Sequence, residues 1–230
     1  MDRVQAQVRH QPSFAVARCL LAPGEPLRVE SGAMLATSWG VQIEASIQGG
    51  LLKGLKRAAL GGESLFVTTY TAGQYGGWVD VAPTLPGDIL VLPASPERGW
   101  NLSKGSWLAN EWSVAVDTTW GGFGNLVGGE GGFLIRATGQ GQILVACFGA
   151  LDVHRLGPGE RLVLDSGHLV AYSDGIAVTT RRIGSTITSL KSGEGLVFEF
   201  TGPGEVLGQS RNPTAFISYL AAMGLGPPRS

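Results

Sequence analysis

The sequence predicts an all-β protein with three similar β-units in a pseudo-threefold arrangement and one C-terminal helix. Apolar and polar residues alternate in segments such as Trp112–Asp117, which is typical of a half-buried strand. Turn signals recur about every 8 to 12 residues, the spacing seen in β-sandwiches and barrels. A set of landmarks occurs three times along the chain, and this recurrence indicates the three units.

Each predicted unit contains three landmarks in the same order. The first is a Pro-Gly-acid sequence, which favours a type II turn before a strand. The second is a glycine followed, seven positions later, by the turn residue before the next strand. The third is a Gly-Glu pair that leads a short apolar strand. They are, in order, Pro23-Gly24-Glu25, Pro86-Gly87-Asp88 and Pro158-Gly159-Glu160; Gly32 to Trp39, Gly105 to Trp112 and Gly167 to Asp174; and Gly62-Glu63, Gly129-Glu130 and Gly193-Glu194.

These landmarks predict a single domain, 1–230, with internal repeats over approximately 14–80, 81–149 and 150–210. The second repeat carries an insertion of ten residues, because 18 positions separate Gly87 from Gly105 but only 8 separate Gly24 from Gly32. The chain contains 36 glycines among 230 residues, and glycine in β proteins marks turns, bulges and close strand crossings.

One helix is predicted, at 212–224. Asn212 is a suitable N-cap, proline at position 213 suits the first turn, and Gly224 can end the helix. Phe216, Leu220 and Met223 follow a helical period, so we expect this apolar stripe to dock on the sheets.

Composition excludes several classes of protein. The 17 basic and 18 acidic residues leave a net charge of −1, which makes nucleic acid an improbable partner. No apolar run reaches the roughly 18 residues of a membrane span, and the N-terminus has no signal core, so a cytoplasmic location is expected. Cys19 and Cys147 lie in apolar runs and are predicted to be buried free thiols, with a disulfide as the alternative.

The motifs of catalysis, metal binding and cofactor binding are missing from the sequence. The three histidines, His10, His154 and His168, show no metal-ligand spacing. No nucleophile elbow or phosphate-binding loop is present. We therefore expect no catalytic, cofactor-binding or metal-binding residues, and a protein that is not an enzyme.

Two features are candidates for an interface. Lys53, Lys56 and Arg57 form a basic cluster among leucines, which fits contact with an anionic membrane surface or nucleic acid. Three charges are too few for stable anchoring, so a solvated loop or a subunit contact is favoured. Trp107 and Trp112 belong to a tryptophan-rich region, where tryptophan serves the core or an interface.

The sequence also predicts self-association. Strand edges must be paired, covered or charged, and only 15% of the residues are charged. The stretches Leu51–Leu60 and Trp107–Trp120 are therefore expected to be covered by another subunit. We therefore expect a closed homo-oligomer. The internal symmetry favours a trimer, and a dimer is the second choice.

Two long stretches carry a resemblance to a known family. The sequences GGLLKGLKRAALGGESLFVTTYTA (49–72) and FTGPGEVLGQSRNP (200–213) resemble the altered inheritance of mitochondria protein 24 family. The resemblance implies a fold similar to the tryptophan RNA-binding attenuation protein (TRAP-like) and, through mitochondrial relatives, a link to membrane organisation. It supplies no catalytic residues. The expected function is a non-enzymatic oligomeric scaffold or interaction protein, and the alternative is a small-ligand or RNA-binding module suggested by fold analogy.

Overall fold

The structure, a computed structural model, describes residues 4–47, 66–119, 134–182 and 196–225. It consists of antiparallel strands and one C-terminal helix, which confirms the all-β class. The strands are β1 (Gln5–Arg9), β2 (Val16–Leu21), β3 (Pro26–Glu30), β4 (Met34–Thr37), β5 (Gln42–Ile47), β6 (Phe66–Thr71), β7 (Gly77–Val81), β8 (Ile89–Ala94), β9 (Trp100–Ser103), β10 (Trp107–Glu111), β11 (Val114–Thr119), β12 (Leu134–Gly139), β13 (Gly141–Ala146), β14 (Leu151–Leu156), β15 (Arg161–Asp165), β16 (Leu169–Ser173), β17 (Ala177–Arg182), β18 (Leu196–Thr201) and β19 (Gly204–Gln209). The helix, α1, is Pro213–Ala222.

Three successive groups of six strands, β2–β7, β8–β13 and β14–β19, are paired in the same way. In each group the first and third strands pair with the sixth. The second and fourth strands pair with the fifth. The third strand of every group has a β-bulge at the same place, between Met34 and Ala36, Trp107 and Ala109, and Leu169 and Ala171. Each group therefore contributes two three-stranded sheets, and β1 adds a strand beside β2.

Two junctions join the groups into larger sheets. Strand β3 pairs with β10 and strand β9 pairs with β16, which gives two six-stranded sheets. The corresponding third junction would join β15 to β4. Within the described residues, however, β4 is the end of a four-stranded sheet and β15 is the end of a three-stranded sheet. The strand pairings show which strands are neighbours, but they do not show how the three groups are arranged around an axis. The third junction is also not formed among the described residues. The pseudo-threefold arrangement therefore stays a prediction.

Among the described residues, the apolar core has three clusters, and each of them combines side chains from neighbouring groups of strands. The first contains Leu27 and Val79, the second Trp100 and Trp107, and the third Phe200. In strands β2 and β3, buried and partly buried residues alternate, so each strand packs one face against these clusters. Strands β10 and β16, at the junctions, are buried along their whole length.

The turn between the first two strands of a group differs from the prediction in one place. In the first group this turn is closed by a backbone hydrogen bond from Glu25 N to Ala22 O. In the third group it is closed by a bond from Glu160 N to Gly157 O. In the second group the matching bond joins Arg98 N to Ser95 O. The Pro-Gly-acid sequence at 86–88 instead precedes β8. The predicted insertion was therefore wrong, because the equivalent turn in the second group is Ser95–Arg98.

Gly87 is needed for a close approach rather than for that turn. It forms a bridge with Gly149, and a Cβ atom at position 87 would lie 1.8 Å from the carbonyl oxygen of Cys147. No side chain fits at that distance. The same Pro-Gly signal thus marks a turn in the first and third groups and a backbone crossing in the second.

Helix α1 begins and ends as predicted but is docked less than predicted. Asn212 caps it by accepting hydrogen bonds from Thr214 N at 2.9 Å and Ala215 N at 3.2 Å. Gly224, with φ of 75°, lies just beyond its end. No residue of the helix is buried. Among the described residues, its aromatic contact joins the ring of Phe216 to that of Phe148, in the loop between β13 and β14, and the ring centres are 5.4 Å apart.

Candidate functional site

The predicted interface residues have different outcomes. Lys53, Lys56 and Arg57, together with the stretch Leu51–Leu60, lie outside the described residues. Trp107 is buried in the core of its own chain, and its indole N–H donates to Asn110 Oδ1 at 2.9 Å.

Trp112 is half-exposed, and the guanidinium carbon of Arg28 lies 3.9 Å from the centre of its ring. Trp112 therefore has a surface that a partner can reach, whereas Trp107 stabilises the fold of one subunit.

A cavity of about 490 Å³ opens where the three groups of strands come together. Its wall includes Glu30 from the first group, Ser103 and Cys147 from the second, and Leu169 and Phe198 from the third. The first residues of α1 complete the wall. This volume is within the range of small-molecule sites, and the lining combines apolar surface with a few polar groups, as such sites do.

Gln209 holds the second and third groups together beside this cavity. Its side-chain carbonyl oxygen accepts a hydrogen bond from Phe148 N at 2.8 Å, and its amide donates to Gly167 O at 3.1 Å. The backbone oxygen of Gln209 also lies 2.7 Å from Nδ1 of His168. His168 is thus part of the wall's hydrogen-bond network.

Two titratable groups of the wall have shifted pKa values. Burial raises the pKa of the Cys147 thiol, and its Sγ donates to Gly149 O at 3.2 Å. Burial also raises the pKa of the Glu30 carboxyl. A nucleophilic cysteine needs the opposite shift, toward a stable thiolate. The geometry therefore fits binding better than nucleophilic chemistry.

The two cysteines are free and buried, as predicted from their apolar surroundings. Burial raises the pKa of Cys19 to about 12, so this thiol stays protonated. Among the described residues, no group of three or more histidine, cysteine or acidic side chains could hold a metal ion. In the same part of the chain, no helix is both long enough and apolar enough to span a membrane.

Several large apolar side chains lie on the surface. Trp39 and Tyr75, in the turns after β4 and β6, are almost fully exposed. On α1 and just beyond it, Ile217, Tyr219 and Met223 are each more than half exposed. Large exposed apolar patches often mark sites of interaction with another molecule.

The repeated six-strand pairing defines a class of all-β proteins built from similar paired-sheet units. The family described as Mitochondrial biogenesis AIM24 matches residues 6–211, and the chain belongs to that family. This confirms the family resemblance found in the sequence.

Two streptococcal proteins are similar to the chain over most of its length. Uncharacterized protein M6_Spy0233 of Streptococcus pyogenes serotype M6 is 27% identical over 227 residues, which cover 95% of this chain and 90% of the relative. The crystal structure of protein SPYM3_0169 from Streptococcus pyogenes has a TM-score of 0.81 and 26% identity, and covers 96% of this chain and 100% of that chain. Neither name indicates an enzymatic family, and the likeness to the attenuation protein stays a prediction.

The cavity is a feature that sequence reasoning missed. Its wall is built from short stretches of mixed residue types that are far apart in the chain and form no motif. One signal was present: the glycines at 105 and 167, which recur at the same place in their units, both line it.

Proposed function

We propose that this protein is a non-enzymatic scaffold that works as a homo-oligomer and offers apolar surface to its partners. The observation that carries the proposal is the surface of α1. Its sequence, PTAFISYLAA, contains no charged residue, and none of its side chains is buried. A helix without charged residues, in which only Thr214, Ser218 and the Tyr219 hydroxyl are polar, is normally covered by other structure on its apolar side. Its exposure in one chain favours an interaction protein.

The thiol in the cavity wall supports the non-enzymatic part of the proposal. The wall's buried thiol and its half-buried carboxyl both have raised pKa values, which favours their neutral forms. The neutral thiol of Cys147, which donates to Gly149 O, contributes to packing and binding rather than to nucleophilic attack.

Light scattering over a dilution series tests the proposal. We expect the mass at micromolar concentration to be a multiple of the chain mass of 24.0 kDa, with three chains favoured over two. The recurrence of three similar units, which supplies threefold-compatible surfaces, is the reason for this preference. A mass of 24.0 kDa at every concentration would contradict the proposal.

A second candidate function, small-ligand binding, is favoured by the cavity of about 490 Å³. Native mass spectrometry of freshly purified protein separates the two functions. A small molecule that co-purifies with each chain supports ligand binding, and an oligomer without added mass supports the scaffold. Co-purified RNA would instead support a nucleic-acid-binding role, which the net charge of −1 does not favour.

A further inference from the structure

The two junctions inside the chain show how one group of strands joins the next. At the first junction, Val29 of β3 is opposite Ala109 of β10 and Arg28 is opposite Asn110. At the second, Leu102 of β9 is opposite Ala171 of β16 and Asn101 is opposite Tyr172. Each junction joins the second strand of one group to the third strand of the next group. The second strand of the last group, β15, and the third strand of the first group, β4, take part in neither junction. Each is a sheet edge in the described part of the chain.

The exposure of the bulge residue shows that β4 lacks the neighbour that β10 and β16 have. Leu35, Leu108 and Val170 lie within the equivalent bulges of the three groups. Leu108 and Val170 are 1% and 0% exposed, but Leu35 is 59% exposed. The same position is therefore apolar in all three groups and is covered in the two that form a junction.

Charge separates this pair of edges from the other edge strands. The outer strands β1, β5, β8, β11, β14 and β17 each contain a charged residue or a proline, which hinders pairing with another chain. Strand β4, with the sequence MLAT, contains neither. Strand β15 carries its charges at its two ends and leaves Leu162–Leu164 uncharged. These are the two edges least protected against pairing.

A contact beside each junction involves the turn after the third strand. At the first junction, Arg28 donates to Val114 O at 2.9 Å and stacks on Trp112. At the second, Asn101 donates to Asp174 Oδ1 at 2.7 Å.

At the open edges, the equivalent positions hold an apolar pair. Val163 takes the place of Arg28 and Asn101 on β15, and Trp39 takes the place of Trp112 and Asp174 after β4. Val163 is 53% exposed, and Trp39 is fully exposed. These matched apolar side chains would contact each other if the strands paired.

We propose that β15 of one copy pairs antiparallel with β4 of a second copy and so completes the third junction between subunits. This inference rests on the proposed function and names the partner as the same chain. The register follows the two internal junctions: Leu164 is opposite Ala36, Val163 is opposite Thr37 and Leu162 is opposite Ser38. Val163 of one copy then packs against Trp39 of the next. The contact is head-to-tail, so it generates rings or filaments.

Disulfide cross-linking of mixed single variants tests the register and the polarity. Directly opposed residues in antiparallel strands have Cα atoms about 4.5 to 5.5 Å apart, which suits a disulfide. We expect oxidation of a mixture of Thr37→Cys and Val163→Cys to give a covalent dimer, whereas either variant alone stays a single chain. The native thiols are buried, so oxidised wild-type protein is the matched control.

Two cross-linking results would overturn the proposal. A covalent dimer from one single variant alone would show a face-to-face contact. In the double variant Thr37→Cys/Val163→Cys, a disulfide that closes within one chain would show that the two edges meet in the same subunit. The proposal expects a ladder of linked chains instead.

Lysine substitutions on two edge strands separate this inference from the proposed function. Val163→Lys places a charge in the proposed interface, and we expect the concentration at half-dissociation to rise roughly tenfold or more. Val153→Lys makes the same change on the exposed face of edge strand β14 and is expected to leave that concentration unchanged. If the wild type is monomeric at every concentration, the proposed function fails as well. If it is an oligomer that Val163→Lys does not weaken, only this interface is wrong.

Discussion

Replacing Trp107 by alanine is expected to lower the free energy of unfolding by about 4 kcal/mol, the typical cost of removing a buried tryptophan. The side chain is 1% exposed and belongs to the second core cluster. Its loss also removes the donor to Asn110 Oδ1, and Asn110 is itself completely buried. A buried acceptor without its donor adds to the cost of the cavity. Urea unfolding at a fixed protein concentration measures the change.

The matched control for this substitution is Trp112→Ala. Trp112 is half-exposed, and its contact with Arg28 is a surface cation–π pair worth about 0.5 to 1 kcal/mol. Trp107→Phe keeps most of the packing and should fall between the two, so it remains measurable if the alanine variant does not fold. Equal destabilisation by Trp107→Ala and Trp112→Ala would contradict the core assignment.

Replacing Asp80 by asparagine is expected to lower the free energy of unfolding by about 2 kcal/mol at neutral pH. Asp80 is almost completely buried and accepts two hydrogen bonds from Arg18, both at 2.8 Å. Arg9 donates two more, at 3.3 Å and 2.6 Å. These bonds connect β1, β2 and β7. The asparagine amide cannot compensate the two guanidinium charges.

The same carboxylate predicts a pH dependence. Hydrogen bonds from Arg18, and then from Arg9, lower the pKa of Asp80 to about 2 against the opposing effect of burial. A folded-state pKa below the unfolded value of about 3.9 stabilises the protein above that value. This stabilisation decreases as the pH falls from about 4 through 2.

Urea unfolding at several pH values should therefore show that the free energy of unfolding falls more steeply between about pH 4 and pH 2 for the wild type than for Asp80→Asn. The control is Asp152→Asn, on exposed strand β14, which should follow the wild type. Parallel curves for the wild type and Asp80→Asn would show that Asp80 does not carry the effect.

Local chemistry made part of the fold predictable. Asn212 and Gly224 fix the ends of α1 because a cap side chain and a glycine with positive φ act on neighbouring backbone. Gly32 and Gly105, with φ of 91° and 80°, lie in the turns between the second and third strands of their groups, where the landmark placed them.

Contacts between distant segments were not predictable in the same way. Gly87 carries a turn signal, but the nearby Cys147 carbonyl, which excludes any side chain there, belongs to another strand end. Leu35, Leu108 and Val170 have the same apolar character in sequence, but a neighbouring strand covers only Leu108 and Val170. Sequence patterns show that a strand has an apolar face, but they do not show which strand covers it.

Hydrogen exchange of the wild-type protein at two concentrations tests the pairing of subunits most directly. Amides engaged in a new strand pair exchange more slowly, and amides of an edge without a partner do not change. Above the association concentration, we predict slower exchange at Leu35–Thr37 of β4 and Leu162–Leu164 of β15, with no change on edge strands β5 and β14. Exchange at β4 and β15 that is the same at both concentrations, while the mass increases, would contradict the account.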